Sequence, residues 1–363
     1  MRVVIAGGGT GGHLFPGLAV ARALMARAPG STISFAGTAT GIEARVIPAS
    51  EFELDVIRSG GLKGKSPAAF ARGLGLLPLS GLDAWRLITR RKPDVVIGVG
   101  GYSSGPVVGV AVARGIPTLL MEQNAVPGIT NRLLAPLVKS AAVTYDASLA
   151  YFGGKGFVSG NPVRQEFLNI DDAAITAPDV RVLIFGGSQG AHALNVAVVA
   201  AASRLASPGA TPVSVVCQTG ARDFDMVREA LQRAGVRGRV ERFIDAMDRE
   251  VRDAGLVVSR AGATTLAELT AAGRPAILIP LPTATDDHQR LNAEALEAAG
   301  AAEVIEQKDL TGERLADRIL ALAADRDKRR QMSAAARRLS RPEAANRIVD
   351  AVITLATVEH RAS

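Results

Sequence analysis

The chain has 363 residues, too many for one ordinary core and enough for two domains of usual size. Hydrophobic residues make up 48% and charged residues 21%, which excludes a chain that is disordered throughout. A formal charge of +7 points to anionic partners; with aromatics at only 4%, stacking platforms are scarce, so a phosphorylated substrate or an anionic membrane surface is expected rather than nucleic acid.

The chain opens on Val3-Val4-Ile5-Ala6, with no apolar leader before it and no cleavage site, and a cytoplasmic location is expected. This strand-like run enters Gly7-Gly8-Gly9-Thr10-Gly11-Gly12-His13, a glycine-rich turn that leads into a helix, with Pro16 expected to open it. Further β-branched runs follow at 32–35, 94–97, 118–120 and 141–143. The most apolar stretch, 105–121, is interrupted by Arg114 and Pro117 and is too broken to span a bilayer. Residues 169–178 are polar and weakly patterned, which suits a connection between domains. Val182-Leu183-Ile184-Phe185 then enters a second turn, Gly186-Gly187-Ser188-Gln189-Gly190-Ala191, and strand-like runs follow at 213–216, 256–258 and 276–279. The single Cys217 excludes an intrachain disulfide and a four-thiolate metal site, and reads as a small buried residue. Near the end, Ile348, Val352 and Leu355 form one helical stripe.

Continuous apolar runs alternating with helices indicate parallel strands covered on both faces, so the fold class is α/β, doubly wound and present twice. The expected domains are 1–161 and 162–341, with the helix in 342–363 packing either back on the first or on the second. Both glycine turns place backbone N–H groups at a helix N-terminus, where phosphate is favoured. The first also fits the dinucleotide pattern, but residues 34–38 supply no acid for a ribose and Glu43 comes too late for that task. His13 stands at the turn and suits either a phosphate contact or general-base work. Between Arg58 and Lys92, Arg58, Lys63, Lys65, Arg72, Arg86, Arg90, Arg91 and Lys92 face the single acid Asp83, interleaved with Phe70, Leu74, Leu76, Leu77, Leu79, Leu82, Trp85, Leu87 and Ile88. That mixture suits an anionic leaflet, or else a core stripe beneath a solvated face. No Asp-x-Asp directly follows an apolar strand and no His/Asp spacing suggests a metal, so no metal or cofactor is expected.

Six motifs occur in order: residues 8–17, Gly100-Gly101-Tyr102-Ser103-Ser104-Gly105-Pro106, Glu122-Gln123-Asn124, Gly160-Asn161-Pro162-Val163-Arg164, the second glycine turn, and Asp287-His288-Gln289. Together they resemble the MurG family of N-acetylglucosaminyltransferases. The resemblance implies a GT-B fold with a cleft between its domains, and inverting transfer from UDP-N-acetylglucosamine to the 4-hydroxyl of the N-acetylmuramoyl unit of lipid I, at the inner face of the cell membrane, for peptidoglycan synthesis. It further implies the anionic membrane surface and cell-wall synthesis proteins as partners. For the donor it implies Thr10, Gly11, Gly12, Asn124, Arg164, Ser188, Ile244, Ala263, Thr264, Thr265, Leu266, Ala267, Glu268 and Gln289. The acceptor side is implied to take Tyr102, Ser103, Ser104 and Gly105, with His13 as the base. Met121 stands where the family commonly has histidine, and His192 where it commonly has arginine. The rival readings are another GT-B enzyme of UDP-sugars, such as an epimerase or a glycolipid transferase, a nucleotide-cofactor oxidoreductase, and a noncatalytic lipid-carrier binding protein.

Overall fold

Alternation of β-branched runs with helical stretches builds two parallel sheets, one in each of two compact units. The computed structural model describes residues 1–60, 67–187, 190–207, 211–284 and 287–360. Unit 1 comprises Met1–Arg164 and Arg341–Ser363, and unit 2 comprises Gln165–Ser340.

Among the described residues, unit 1 runs β1 (Arg2–Gly7), α1 (Gly11–Arg27), β2 (Thr32–Gly37), α2 (Glu43–Val46), β3 (Glu53–Val56), α3 (Pro67–Arg91), β4 (Val95–Gly100), α4 (Ser104–Ala113), β5 (Thr118–Glu122), α5 (Ile129–Leu134), β6 (Ser140–Val143) and β7 (Gly156–Val158). Its sheet has the order β3-β2-β1-β4-β5-β6-β7, with parallel neighbours throughout. Unit 2 runs α6 (Ala173–Thr176), β8 (Val180–Phe185), α7 (His192–Leu205), β9 (Val213–Gln218), α8 (Phe224–Ala234), β10 (Arg237–Glu241), α9 (Met247–Asp253), β11 (Leu256–Ser259), α10 (Ala263–Ala272), β12 (Ala276–Leu278), α11 (His288–Ala298), β13 (Ala302–Val304), α12 (Gly312–Ala324) and α13 (Arg326–Leu339). Its parallel sheet is ordered β10-β9-β8-β11-β12-β13. In each sheet the order reverses beside the first strand, between β1 and β4 and between β8 and β11. Loops leaving the carboxyl ends of those strands diverge there and leave room for a ligand.

The inner strands are covered on both faces, with Val3, Ile5, Ile97 and Leu119 in one core and Val182, Ile184, Val258 and Ile277 in the other. Four strands that the apolar pattern does not announce, β3, β7, β10 and β13, are the four sheet edges. An edge is covered less completely, so polar sequences such as Arg237-Gly238-Arg239 suffice there and leave no continuous apolar run to read.

The terminal helix Ala344–His360 lays Ile348, Val349 and Val352 into the unit 1 core, and Arg27 of α1 pairs with its Asp350 at 2.7 Å. Residues 169–178 are not a loose connection. Ile170 and Ile175 are buried in unit 2, and three arginines hold the backbone: Arg274 donates to the Asp171 carbonyl, Arg329 to that of Ile175 and Arg337 to that of Ile170. Burial pushes the Arg274 guanidinium down to about 10. Cys217 lies buried in β9, where burial pushes its thiol up to about 12.

Candidate active site

In unit 1, a register shift between Ala6 and Gly7 sets Gly7 opposite Gly100 and brings the turn after β1 against the turn after β4. The approach demands glycine: Gly101 has φ +82°, and a Cβ there would stand 2.6 Å from the Gly8 carbonyl oxygen. The helix opens at Gly11, earlier than expected, with Thr10 as its extended N-cap residue, so Pro16 lies in the second turn. The Thr10 carbonyl accepts the N–H groups of His13 and Leu14, both at 3.2 Å. His13 thereby projects from the first turn over Gly100, whose Cβ, if present, would lie 2.9 Å from the ring nitrogen Nδ1.

Behind this turn sits a carboxylate. Glu43 is fully buried on α2 and accepts the Gly9 N–H at 2.7 Å and both the N–H and the hydroxyl of Thr38 at 2.8 Å. Burial alone raises its pKa, but the hydrogen bonds from Thr38 and Gly9 outweigh burial and hold it below the usual glutamate value. Glu43 therefore braces the turn with its own negative charge rather than facing outward.

The sequence places Tyr102 to Gly105 together, but their side chains part ways. Tyr102 is half exposed, whereas Ser103 and Ser104 are buried with hydroxyls that have no partner among the described residues. Glu122, buried at the end of β5, accepts from the N–H groups of Asn124 and Gly128 and from the Asn131 amide, which shapes the loop that carries Asn124. The Arg164 guanidinium lies 4.4 Å above the ring of Phe15, on the same α1 turn as His13. Thus Thr10, Gly11, Gly12, His13 and Arg164 gather at one end of α1.

In unit 2, Ser188 lies outside the described residues, as does Gln189. The flanking turn is nonetheless defined: Gly190 has φ +76°, and a Cβ there would collide with the Thr219 carbonyl. Gln218, buried at the end of β9, donates its amide to the Gly187 carbonyl at 2.9 Å and accepts the Ile244 N–H at 2.8 Å. This ties the turn to the segment at Ile244. After β11, α10 starts from an extended Gly262, and the N–H groups of Ala263, Thr264 and Thr265 stand in its first turn. The Leu266 side chain is in the core, so only its backbone faces this end, and Ala267 and Glu268 are half-buried one turn on. Buried Arg260 donates to the Ile279 and Pro280 carbonyls, fixing the loop after β12 against β11. Gln289 fastens the same loop by accepting the Leu281 N–H at 3.0 Å. Near it Asn292 is fully buried, and neither its amide oxygen nor its nitrogen has a partner among the described residues. Sequence reasoning missed Glu43, Gln218 and Asn292 as site residues; a polar residue spaced three after Gln289 on a helix was the only signal for any of them.

Two family patterns match in tandem, the glycosyltransferase family 28 N-terminal domain over residues 3–143 and the C-terminal domain over residues 181–348. Among relatives, the UDP-N-acetylglucosamine–N-acetylmuramyl-(pentapeptide) pyrophosphoryl-undecaprenol N-acetylglucosamine transferase of Anaeromyxobacter sp. (strain K) is 46% identical over 98% of this chain and 93% of its own length. The protein of that name from Myxococcus xanthus is 43% identical with the same coverage. The crystal structure of Acinetobacter baumannii MurG superposes with a TM-score of 0.76 at 31% identity, covering 97% of this chain and 99% of that one. The chain belongs to the MurG family of glycosyltransferases.

Within that MurG family setting, the two departures have structural counterparts. Met121 is buried in β5, so an apolar side chain is accommodated there. His192 opens α7 with Nδ1 3.0 Å from the Asp223 carboxylate, which also accepts from Asn195. Burial raises the Asp223 pKa, but the bonds from Asn195 and His192 outweigh burial and hold it low.

Proposed function

We propose that this chain transfers N-acetylglucosamine from UDP-N-acetylglucosamine to the 4-hydroxyl of the N-acetylmuramoyl unit of lipid I, giving lipid II and UDP with inversion at the anomeric carbon. The observation that carries this reading is near-full-length identity of 46% to proteins named for that transfer. The donor belongs with unit 2. A neutral amide lies behind its glycine turn, and the first turn of α10 presents N–H groups to a diphosphate, to which the family resemblance also assigns Ser188. The Ile244 segment meets the uracil, Glu268 the ribose hydroxyls, and Gln289 the sugar hydroxyls together with Asn292, whose buried amide has no partner among the described residues.

On unit 1, His13 removes the proton of the attacking hydroxyl as the new C–O bond forms and the bond from the anomeric carbon to the diphosphate breaks. Arg164 offers a charge-assisted contact to phosphate, and Thr10, Gly11, Gly12 and Asn124 line this end of the sheet. Exposed Tyr102 meets the acceptor directly; Ser103, Ser104 and Gly105 shape the loop.

We also propose peripheral attachment to the membrane. No helix among the described residues is long and apolar enough to cross one. On α3, Ala84, Leu87 and Ile88 go to the core, while Leu77, Leu79, Leu82 and Trp85 stay exposed; on and just after α5, Ile129, Leu133 and Leu137 do the same. Part of the basic stretch is neutralised inside the unit. Arg58 holds Asp83 through three hydrogen bonds, two from its guanidinium and one from its backbone N–H, and pulls it down to about 2, and Arg90 and Arg91 pair with Asp55. Lys63 and Lys65 lie outside the described residues, as do the side chains of Phe70, Arg72 and Leu74. The apolar face therefore supports the attachment more than those charges do.

The test is incubation with UDP-N-acetylglucosamine labelled in the sugar and a lipid I analogue. Label in a disaccharide product with equimolar UDP is expected; free epimer, or reduction of an added pyridine dinucleotide, overturns the reading.

A further inference from the structure

We infer that Gln123 is a positioning residue that fixes His13 in the tautomer protonated on Nδ1, so that Nε2 is the nitrogen that takes up the proton. The inference rests on the reading of His13 as the base and deepens it. Gln123 is 3% exposed at the carboxyl end of β5, and two groups flank its amide. Its Nε2 donates to the Val99 carbonyl at 3.2 Å, and its Oε1 lies 3.3 Å from His13 Nδ1.

A peptide carbonyl can only accept, so the NH2 end of the Gln123 amide must face Val99. The oxygen end then faces the imidazole, and an amide oxygen also can only accept. His13 Nδ1 therefore carries hydrogen, and in the neutral ring the basic lone pair sits on Nε2. When Nε2 is protonated, the Nδ1–H to Oε1 bond becomes charge-assisted, so the same contact favours the imidazolium formed during transfer. Val99 belongs to β4, the strand whose closing Gly100 lies under the ring, so one backbone segment sets both the height of the imidazole and the orientation of the amide that reads it.

The test uses the full chain labelled with 15N-histidine, together with Gln123→Met, which keeps the volume and loses both bonds, and Gln123→Glu, which keeps the acceptor toward His13. Wild-type His13 should show the Nδ1–H pattern in its nitrogen shifts. In Gln123→Met the two tautomers should mix and kcat should fall by about ten- to a hundredfold, because the base is correctly presented only part of the time, while KM for the donor stays within about twofold. Gln123→Glu should keep the Nδ1–H tautomer, recover a share of kcat and move the acid limb of the pH–rate profile upward, since a carboxylate favours imidazolium. A wild-type ring protonated on Nε2 overturns the inference whether or not the variants fold, and so does an unchanged tautomer in Gln123→Met. If tautomers mix in Gln123→Met while kcat is unchanged, the tautomer assignment stands and the base reading of His13 falls.

Discussion

Two turns of nearly the same glycine-rich composition follow the first strand of each unit, yet they are braced by opposite chemistry. Behind the turn after β1 lies the Glu43 carboxylate, which consumes the Gly9 N–H; behind the turn after β8 lies the Gln218 amide, which binds the Gly187 carbonyl instead. A carboxylate already seated against backbone N–H groups plays the part that a phosphate plays in other glycine turns, and its charge disfavours a second anion nearby. An amide that donates to a carbonyl leaves the local field free of net charge. The lesson is that a glycine pattern specifies a tight turn, while the side chain behind it decides whether that turn attracts an anion. On this ground we propose that the glycine turn of unit 2 holds the donor diphosphate, while unit 1 supplies the base and, through Arg164 rather than its glycine turn, a phosphate contact.

Replacement of the base separates the two roles most sharply. His13→Ala should lower kcat by about 10²–10⁴, the usual weight of a general base, with little change in UDP affinity measured by calorimetry. An equal loss of UDP affinity would erase the division of labour between the units.

Exchanging the chemistry behind the second turn is the next largest perturbation. Gln218→Glu sets a carboxylate against the Gly187 carbonyl and near the proposed diphosphate, and should weaken UDP binding by about ten- to a hundredfold. The loss should shrink in high salt only slightly, because the position is buried. Unchanged affinity would show that the electrostatic contrast has no functional weight.

The converse exchange, Glu43→Gln, removes the charge but keeps the shape. It should cost about 1–3 kcal/mol at neutral pH by urea denaturation, since an ionised acceptor serving Gly9 and Thr38 is replaced by a weaker one. Because the folded Glu43 pKa lies below the ordinary value of 4.5, its contribution is complete above that value and is lost as pH falls through the folded pKa. The gap between variant and wild type should therefore close on acidification; a gap that persists would mean the carboxylate acts through packing alone.

The smallest effect concerns the surfaces. Unit 1 exposes Trp85, Leu79 and Leu133, whereas among the described residues unit 2 exposes only Val196 and Met226 as large apolar groups. Trp85→Ala should reduce co-sedimentation with anionic vesicles by about three- to tenfold, with UDP affinity unaltered. Equal binding by Val196→Ala and Trp85→Ala proteins would remove unit 1 as the membrane face.

Much of this protein is legible in its sequence. Inner strands buried on both faces write themselves as unbroken apolar runs, and glycine turns are short, local and rich in one residue. That is why 3–6, 94–97, 182–185 and 256–258 marked the middle of each sheet, and why six ordered motifs were enough to point to the family. Edge strands escaped because half-covered backbone tolerates polar residues. Residues 169–178 looked like a tether because their polarity conceals two buried isoleucines and backbone carbonyls bound by arginines from far along the chain.

Only the folded structure decided which polar groups meet. Glu43 reaches Gly9 across 34 positions and Gln123 reaches His13 across 110, and the terminal helix returns to the core of the unit that began the chain. Periodicity and composition report what a segment buries, since that is set by spacing along one element. The partner of a buried donor or acceptor is set by how separate elements pack, and the sequence names the groups without naming the pairs.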